Sequence, residues 1–168
     1  MSLERLWAGW RSAYIAEVVA VPPGSASPED CLFCVLGAAT PDEGQIVARD
    51  ETTFAVLNAF PYTSGHVMVV PRRHEGALDG LDRGEANAVM AMTQRATMAV
   101  RTAYAPDGIN VGMNLGRAAG AGVPGHLHVH VLPRWVGDTN FMTSVAETRV
   151  MPESLTTTLE RLRAAWPS

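Results

Sequence analysis

The stretch Gly125-His126-Leu127-His128-Val129-His130-Val131-Leu132-Pro133-Arg134-Trp135 constrains the fold more than any other. Side chains alternate between the two faces of a strand, so His126, His128 and His130 project to one side while Leu127, Val129 and Val131 project to the other. The apolar side can enter a core, which predicts a strand carrying three imidazoles about 6–7 Å apart on one face. Imidazole titrates near neutrality and can serve as nucleophile, general acid or base, or metal ligand. Three of the chain's five histidines fall in this one stretch. A polar strand face that merely touches solvent would not call for that concentration. Pro133 is expected to end the strand.

Such a strand needs a sheet to join. With 168 residues, 47% of them hydrophobic in type, and four tryptophans, the chain can bury a core of its own, and a single domain over 1–168 is expected. The net charge of −4 and the lack of a dense Lys/Arg run argue against nucleic acid as a partner, whereas a single nucleotide needs only a small local site. The longest apolar runs fall far short of the ~20 residues that span a bilayer. Met1-Ser2-Leu3-Glu4-Arg5 lacks a basic region followed by a hydrophobic one, so a cytoplasmic location without membrane attachment is expected.

Residues 3–15 place Leu3, Leu6, Trp7, Trp10 and Tyr14 on one helical stripe, an outer helix that with the Pro/Ser-rich loop at 21–30 forms an extension over 1–30. Cys31-Leu32-Phe33-Cys34 follows. A Cys-x-x-Cys turn can converge two thiolates on zinc but leaves a tetrahedral site half filled; a redox pair and buried inert thiols stay open alternatives. Residues 45–49, 53–59 and 66–72 read as successive antiparallel strands, with turns at Asp50-Glu51 and Pro61-Tyr62-Thr63-Ser64-Gly65. Asn58 ends one strand and His66 begins the next; an Asx turn into Pro61 would account for Asn58 without any ligand. His74, in polar surroundings, reads by itself as an exposed histidine.

Asp82 with Glu85 resembles a capping box for a helix over 83–104, whose stripe at Ala88, Met92, Ala96, Ala99 and Val100 should pack on the sheet. Its methionines are read as core filler. Residues 109–115 form another expected strand, and the small-residue loop 116–125 leads into the histidines. The loop's glycines would let backbone N–H groups approach a phosphate, although the spacing is not that of a P-loop and a plain connector is the alternative. Trp135 to Met142 could cover a site edge or a dimer contact. Residues 143–150 add a short expected strand, and 151–168 carry a terminal helix docked by Leu155, Leu159, Leu162 and Trp166. The sum is an α+β fold with a mainly antiparallel sheet.

His126-x-His128-x-His130 followed by Val131-Leu132-Pro133-Arg134, with Leu57-Asn58-Ala59-Phe60-Pro61 through His66-Val67-Met68-Val69-Val70-Pro71 and Asn114-Leu115-Gly116, resembles the histidine triad family of nucleotide-binding hydrolases and transferases. The likeness covers roughly residues 31–142. The Trp-rich opening helix and the tail from Pro133 to Phe141 are most similar to the actinobacterial diadenosine tetraphosphate phosphorylases of that family. The resemblance implies a HIT-like fold with a central packed helix and additional N- and C-terminal helices. It implies His128 as the nucleophile that forms a nucleotidyl-phosphohistidine, and His130 as a residue that binds or protonates the transferring phosphoryl region. Asn114 with the backbone of Gly120 and Gly122 would hold phosphate oxygens, Asn58 would contact the ribose, and His66 would support the triad. A structural zinc on Cys31, Cys34, His74 and His126 is implied too, which leaves His66, His128 and His130 for the reaction centre.

The implied activity is phosphorolysis of diadenosine tetraphosphate, with inorganic phosphate as second substrate and a homodimer as the assembly. Hydrolysis releasing AMP is the near alternative; an inactive adenine-nucleotide-binding regulator and a thiol-redox protein on Cys31 and Cys34 are the others. One departure stands just before the triad. Many relatives carry Gln-Ser or Gln-Thr there, where this chain has Gly122-Val123, so a side-chain donor near the leaving group is missing and a phosphoramidate-cleaving activity is disfavoured.

Overall fold

The computed structural model describes residues 27–40, 44–138 and 153–167. The helix expected at 3–15 and the strand expected at 143–150 lie outside them. The elements are helix α1 (Leu32–Ala38), strands β1 (Ile46–Arg49), β2 (Thr53–Leu57) and β3 (Val67–Pro71), helix α2 (Arg83–Tyr104), strands β4 (Gly108–Met113) and β5 (Val129–Arg134), and helix α3 (Leu155–Ala164). The five strands form one sheet in the order β1-β2-β3-β5-β4, every neighbouring pair antiparallel. An α+β architecture follows, as the sequence leads one to expect.

The alternation of side chains sorts the sheet into two faces. Ala55 and Leu57 of β2, Val67 and Val69 of β3, and Val129 and Val131 of β5 join Val89, Met92, Ala96, Ala99 and Val100 of α2 and Leu162 of α3 in one core. Phe54, Val56, Met68 and Val70 point the other way and pack with Ile46, Cys31 and Phe33. Both β2 and β3 are buried along their whole length. Apart from Thr53 at the start of β2 they run apolar because a helix packs on each face. On α2 the buried stripe includes Val89 and Thr93, while Ala88 is half-buried; the Thr93 hydroxyl is satisfied by donating to Val89 O at 2.7 Å.

The capping box is present: Asp82 Oδ1 accepts from Glu85 N–H at 2.8 Å and Glu85 Oε2 accepts from Asp82 N–H at 3.0 Å. Glu85 also takes a bidentate pair from Arg73, at 2.6 and 2.7 Å. The start of α2 is thereby tied to the segment just after β3, which carries His74.

Several boundaries differ from the sequence reading. Strand β5 begins at Val129, so His126 and His128 sit in its extended approach rather than in the ladder. Pro133 is inside β5, opposite Ile109. It is tolerated because β3 pairs only with residues 129–131, which leaves Pro133 with a strand neighbour on one side alone, where a missing N–H costs little. Cys31 and Cys34 lie at the N-cap and in the first turn of α1, not in an isolated turn. Asn58 and Asn114 fall just beyond the ends of β2 and β4. A short 3-10 turn over Arg117–Ala119 interrupts the loop before the histidines, with Gly120 left-handed at φ 91.

Candidate active site and metal centre

The helix α1 face of β5 and its approach presents the triad. His126, His128 and His130 are 1%, 5% and 9% exposed, and His66 is 1% exposed. Four imidazoles this buried must have their nitrogens placed by partners, and the partners determine the tautomers.

The backbone supplies the starting point for each. Tyr62 N–H donates to His66 Nδ1 at 3.2 Å, so the proton of a neutral His66 is on Nε2. That Nε2–H donates to His130 Nδ1 at 2.9 Å, which in turn assigns the His130 proton to Nε2. His128 Nδ1–H donates to the His126 carbonyl oxygen at 2.9 Å, leaving Nε2 of His128 as a lone pair. The rings of His128 and His130 are 4.9 Å apart and nearly perpendicular at 73°. A nucleophilic nitrogen and an N–H donor therefore stand side by side.

Burial keeps the triad uncharged. It lowers the pKa of His128, opposed by the hydrogen bond to the His126 carbonyl. It holds His130 down at about 4, with repulsion from His128 adding to the effect. A neutral His128 is the form that can attack.

The second cluster adjoins the first. Cys31 Sγ is 3.3 Å from His126 Nδ1, and Cys34 Sγ is 3.4 Å from His74 Nδ1 and 3.6 Å from His126 Nδ1. The four ligand atoms all lie within 4.8 Å of one another. Tetrahedral zinc with Zn–S near 2.3 Å and Zn–N near 2.05 Å places sulfur and nitrogen ligands roughly 3.5–3.6 Å apart. The three sulfur–nitrogen separations of 3.3, 3.4 and 3.6 Å fit. His126 Nε2–H donates to Pro71 O at 2.8 Å, which frees Nδ1 as a ligand and supplies the outer hydrogen bond expected of a metal-binding histidine. Burial and the adjacent Cys31 push the Cys34 thiol up to about 11, so a cation among these atoms is what would hold the Cys34 sulfur as a thiolate. His74, which reads from sequence as exposed, is brought in by this packing; its ring meets His126 edge-on at 5.2 Å.

The backbone joins the two clusters. Leu127 N–H donates to Glu75 O at 2.6 Å, fastening the His74 segment to the triad. Phe33, between the two cysteines, lies 5.5 Å from His126 and 4.9 Å from His128, ring to ring. Of the other expected site residues, Asn58 Oδ1 accepts from Phe60 N–H at 2.9 Å. This is the Asx turn, and it spends the carbonyl of the amide on the turn. Asn58 N–H also donates to His66 O at 3.3 Å. Asn114 Nδ2 makes a long contact of 3.4 Å with Gly120 O, while Gly122 is exposed. Asn114 and Gly120 thus form their own pair in the β4–β5 connection.

Residues 40–136 match the HIT domain. The chain belongs to the histidine triad (HIT) family. Among its relatives is the AP-4-A phosphorylase of Mycobacterium tuberculosis, 43% identical over 166 residues that cover 98% of this chain and 85% of that protein. An uncharacterized HIT-like protein of Saccharolobus solfataricus is 33% identical over 112 residues, 67% of this chain and 79% of its own. A crystal structure of a Zn-bound histidine triad family protein from Mycobacterium smegmatis superposes with a TM-score of 0.67 at 29% identity, covering 83% of this chain and 94% of that one. Two residues of this HIT site were not legible in the sequence as site residues, Phe33 and Tyr62. Phe33 sits inside the Cys-x-x-Cys and reads as core. Tyr62 sits in a turn, and only the fold lays its ring over His66 and His130, at 4.8 and 5.9 Å.

Proposed function

We propose that this protein is a nucleotidyltransferase that cleaves diadenosine tetraphosphate by phosphorolysis, with His128 as the nucleophile. The observation that carries the reading is the hydrogen bond from His128 Nδ1–H to His126 O, which leaves Nε2 unprotonated. It occurs in a chain 43% identical over 98% of its length to an AP-4-A phosphorylase.

His128 Nε2 attacks the α-phosphorus of one adenosine. An N–P bond forms while the bond from that phosphorus to the bridging oxygen breaks, and ATP leaves with the electron pair. The imidazole becomes cationic, and its Nδ1–H bond to the His126 carbonyl strengthens as the charge develops. An oxygen of inorganic phosphate then attacks the same phosphorus, the N–P electrons return to Nε2, and ADP is released. His130, a donor at Nε2, gives its hydrogen bond to the phosphoryl oxygens or the leaving bridge oxygen. His66 holds His130, Asn114 with the backbone of Gly120 and Gly122 receives phosphate oxygens, and Asn58 contacts the ribose.

Cys31, Cys34, His74 and His126 would hold a structural zinc, supported by the sulfur–nitrogen separations and by the Zn-bound histidine triad relative. These four residues come from α1, the segment after β3 and the approach to β5, so holding the ion would fasten the three together. Among the described residues strand β4 lies at the sheet edge with Val111 49% exposed, and an edge of this kind is where two copies would pair as a homodimer. Among the described residues no helix is long and apolar enough to cross a membrane, in keeping with work in the cytoplasm on a soluble nucleotide.

The test is product identification after incubation with diadenosine tetraphosphate, with and without inorganic phosphate. ATP plus ADP formed only with phosphate is expected, and His128→Ala should bind substrate yet form no phosphohistidine. ATP plus AMP without phosphate would make the protein a hydrolase on the same nucleophile. Full turnover by His128→Ala would remove His128 from that role.

A further inference from the structure

Tyr62 is half exposed, at 50%, yet the two imidazoles beneath it are 1% and 9% exposed. Its ring is tilted at 43° over His66, 4.8 Å away, and nearly parallel to His130 at 20° and 5.9 Å. The same residue's backbone N–H donates to His66 Nδ1. One residue therefore orients the His66–His130 relay through its main chain and covers it with its side chain.

We propose that the Tyr62 ring is a positioning element of the reaction, closing the His66–His130 pair from water so that His130 stays a neutral donor beside the nucleophile. The inference rests on the reading of His130 as that donor. The other walls around His130 explain why this ring matters. Its strand partners are Met68, which is buried, and Gly112, which has no side chain to shield it. The titratable groups that face it are His66, His128 and the Tyr62 phenol. Among the described residues no carboxylate or guanidinium is hydrogen-bonded to it. Burial and the neighbouring His128 set its environment, and among the described residues Tyr62 is the half-exposed ring stacked on it. Water reaching the pair would compete for the His66 Nε2–H and the His130 Nδ1 lone pair. It would also relieve the desolvation that holds His130 near 4. A reoriented His130 no longer points its Nε2–H at the phosphoryl group, and a charged one can no longer accept from His66 at Nδ1.

The experiment compares Tyr62→Phe and Tyr62→Ala in the full-length, zinc-loaded protein. Imidazole NMR follows the titration of His130, and kcat and KM are measured on diadenosine tetraphosphate with phosphate. Tyr62→Phe is expected to keep the His130 midpoint at its wild-type position, since the ring is the agent. Tyr62→Ala is expected to raise the His130 midpoint by about one pH unit or more toward the free value near 6.5. A positioned proton donor contributes about 10²–10⁴-fold, so the same variant should lose on the order of tenfold in kcat, with KM moving far less. If the alanine variant does not fold, Tyr62→Leu keeps bulk without the flat ring and should give a midpoint between those of the other two.

An unmoved midpoint in the alanine or leucine variant overturns the proposal, even if kcat falls, because the ring would then be only structural. A fall in Tyr62→Phe equal to that in Tyr62→Ala overturns it too, by assigning the effect to the hydroxyl. A wild-type protein inactive on diadenosine tetraphosphate would refute the substrate reading, while the NMR titration would still decide whether the ring shields His130.

Discussion

Gly65 immediately precedes His66, and replacing it with alanine should damage both stability and the relay. Its φ is +80, in the left-handed region. A β-carbon there would lie 2.8 Å from Tyr104 Cε2, 3.0 Å from Tyr104 Cδ2 and 3.1 Å from Pro133 Cγ. Tyr104 cannot easily withdraw: its hydroxyl donates to Glu153, which also accepts from Thr158 Oγ1 at 2.8 Å, and the Arg161 guanidinium lies 5.2 Å over the ring. A side chain in the left-handed region costs about 1–2 kcal/mol, and an extra carbon in a packed site costs about 1–3 kcal/mol. Gly65→Ala should therefore lose about 2–5 kcal/mol in urea unfolding, against a total of about 5–15 kcal/mol for a typical domain. In a Tyr104→Ala background the two nearest contacts go and only Pro133 Cγ stays close, so the same substitution should cost about 1–2 kcal/mol less there. A loss under about 0.5 kcal/mol, or an equal loss in both backgrounds, would refute the reasoning.

Stripping zinc with a chelator should lower Tm before it alters the chemistry, and metal analysis of the native protein should find one zinc per chain; full removal with unchanged melting would sink the structural role. Stability should rise with pH between about 4 and about 6.5. The folded His130 titrates at about 4 while an unfolded histidine titrates near 6.5, so in this window the unfolded chain binds the extra proton and acid favours it. The contribution, on the order of 3 kcal/mol, is present above pH 6.5 and lost on going down through pH 4. His130→Gln should flatten that part of a urea-unfolding pH series, and an unchanged slope would show that His130 does not set it. Asp82→Ala removes the cap of α2 and should cost about 1 kcal/mol, read as a lower urea midpoint with unchanged slope.

Much of the site was legible from local pattern. The alternation His-Leu-His-Val-His with apolar partners placed three imidazoles on one face, and burial of Val129 and Val131 against α2 enforces that choice. Asp82 and Glu85 announced the start of α2 because a capping box is made within four residues. Boundaries were less legible. Pro133 reads as a strand end, yet whether a strand tolerates proline depends on where its neighbour stops pairing, and the pairing of β3 with β5 stops at Val131.

By itself the sequence determined what acts locally: the two faces of the histidine segment, the apolar strands β2 and β3, the long capped helix, and the family whose motif the chain carries. The tertiary structure alone decided which atoms meet. Cys34 and His74 are 40 residues apart in the chain, and Cys31 and His126 are 95 apart, yet their ligand atoms stand within 3.4 Å. His66 and His130, 64 apart, share one hydrogen bond. Tautomers, burial and ring stacking follow from those meetings, because each depends on a neighbour that sequence spacing does not name. The identity of the histidines is local chemistry; the assignment of one as a nucleophile, another as a donor and a third as a ligand is a consequence of packing.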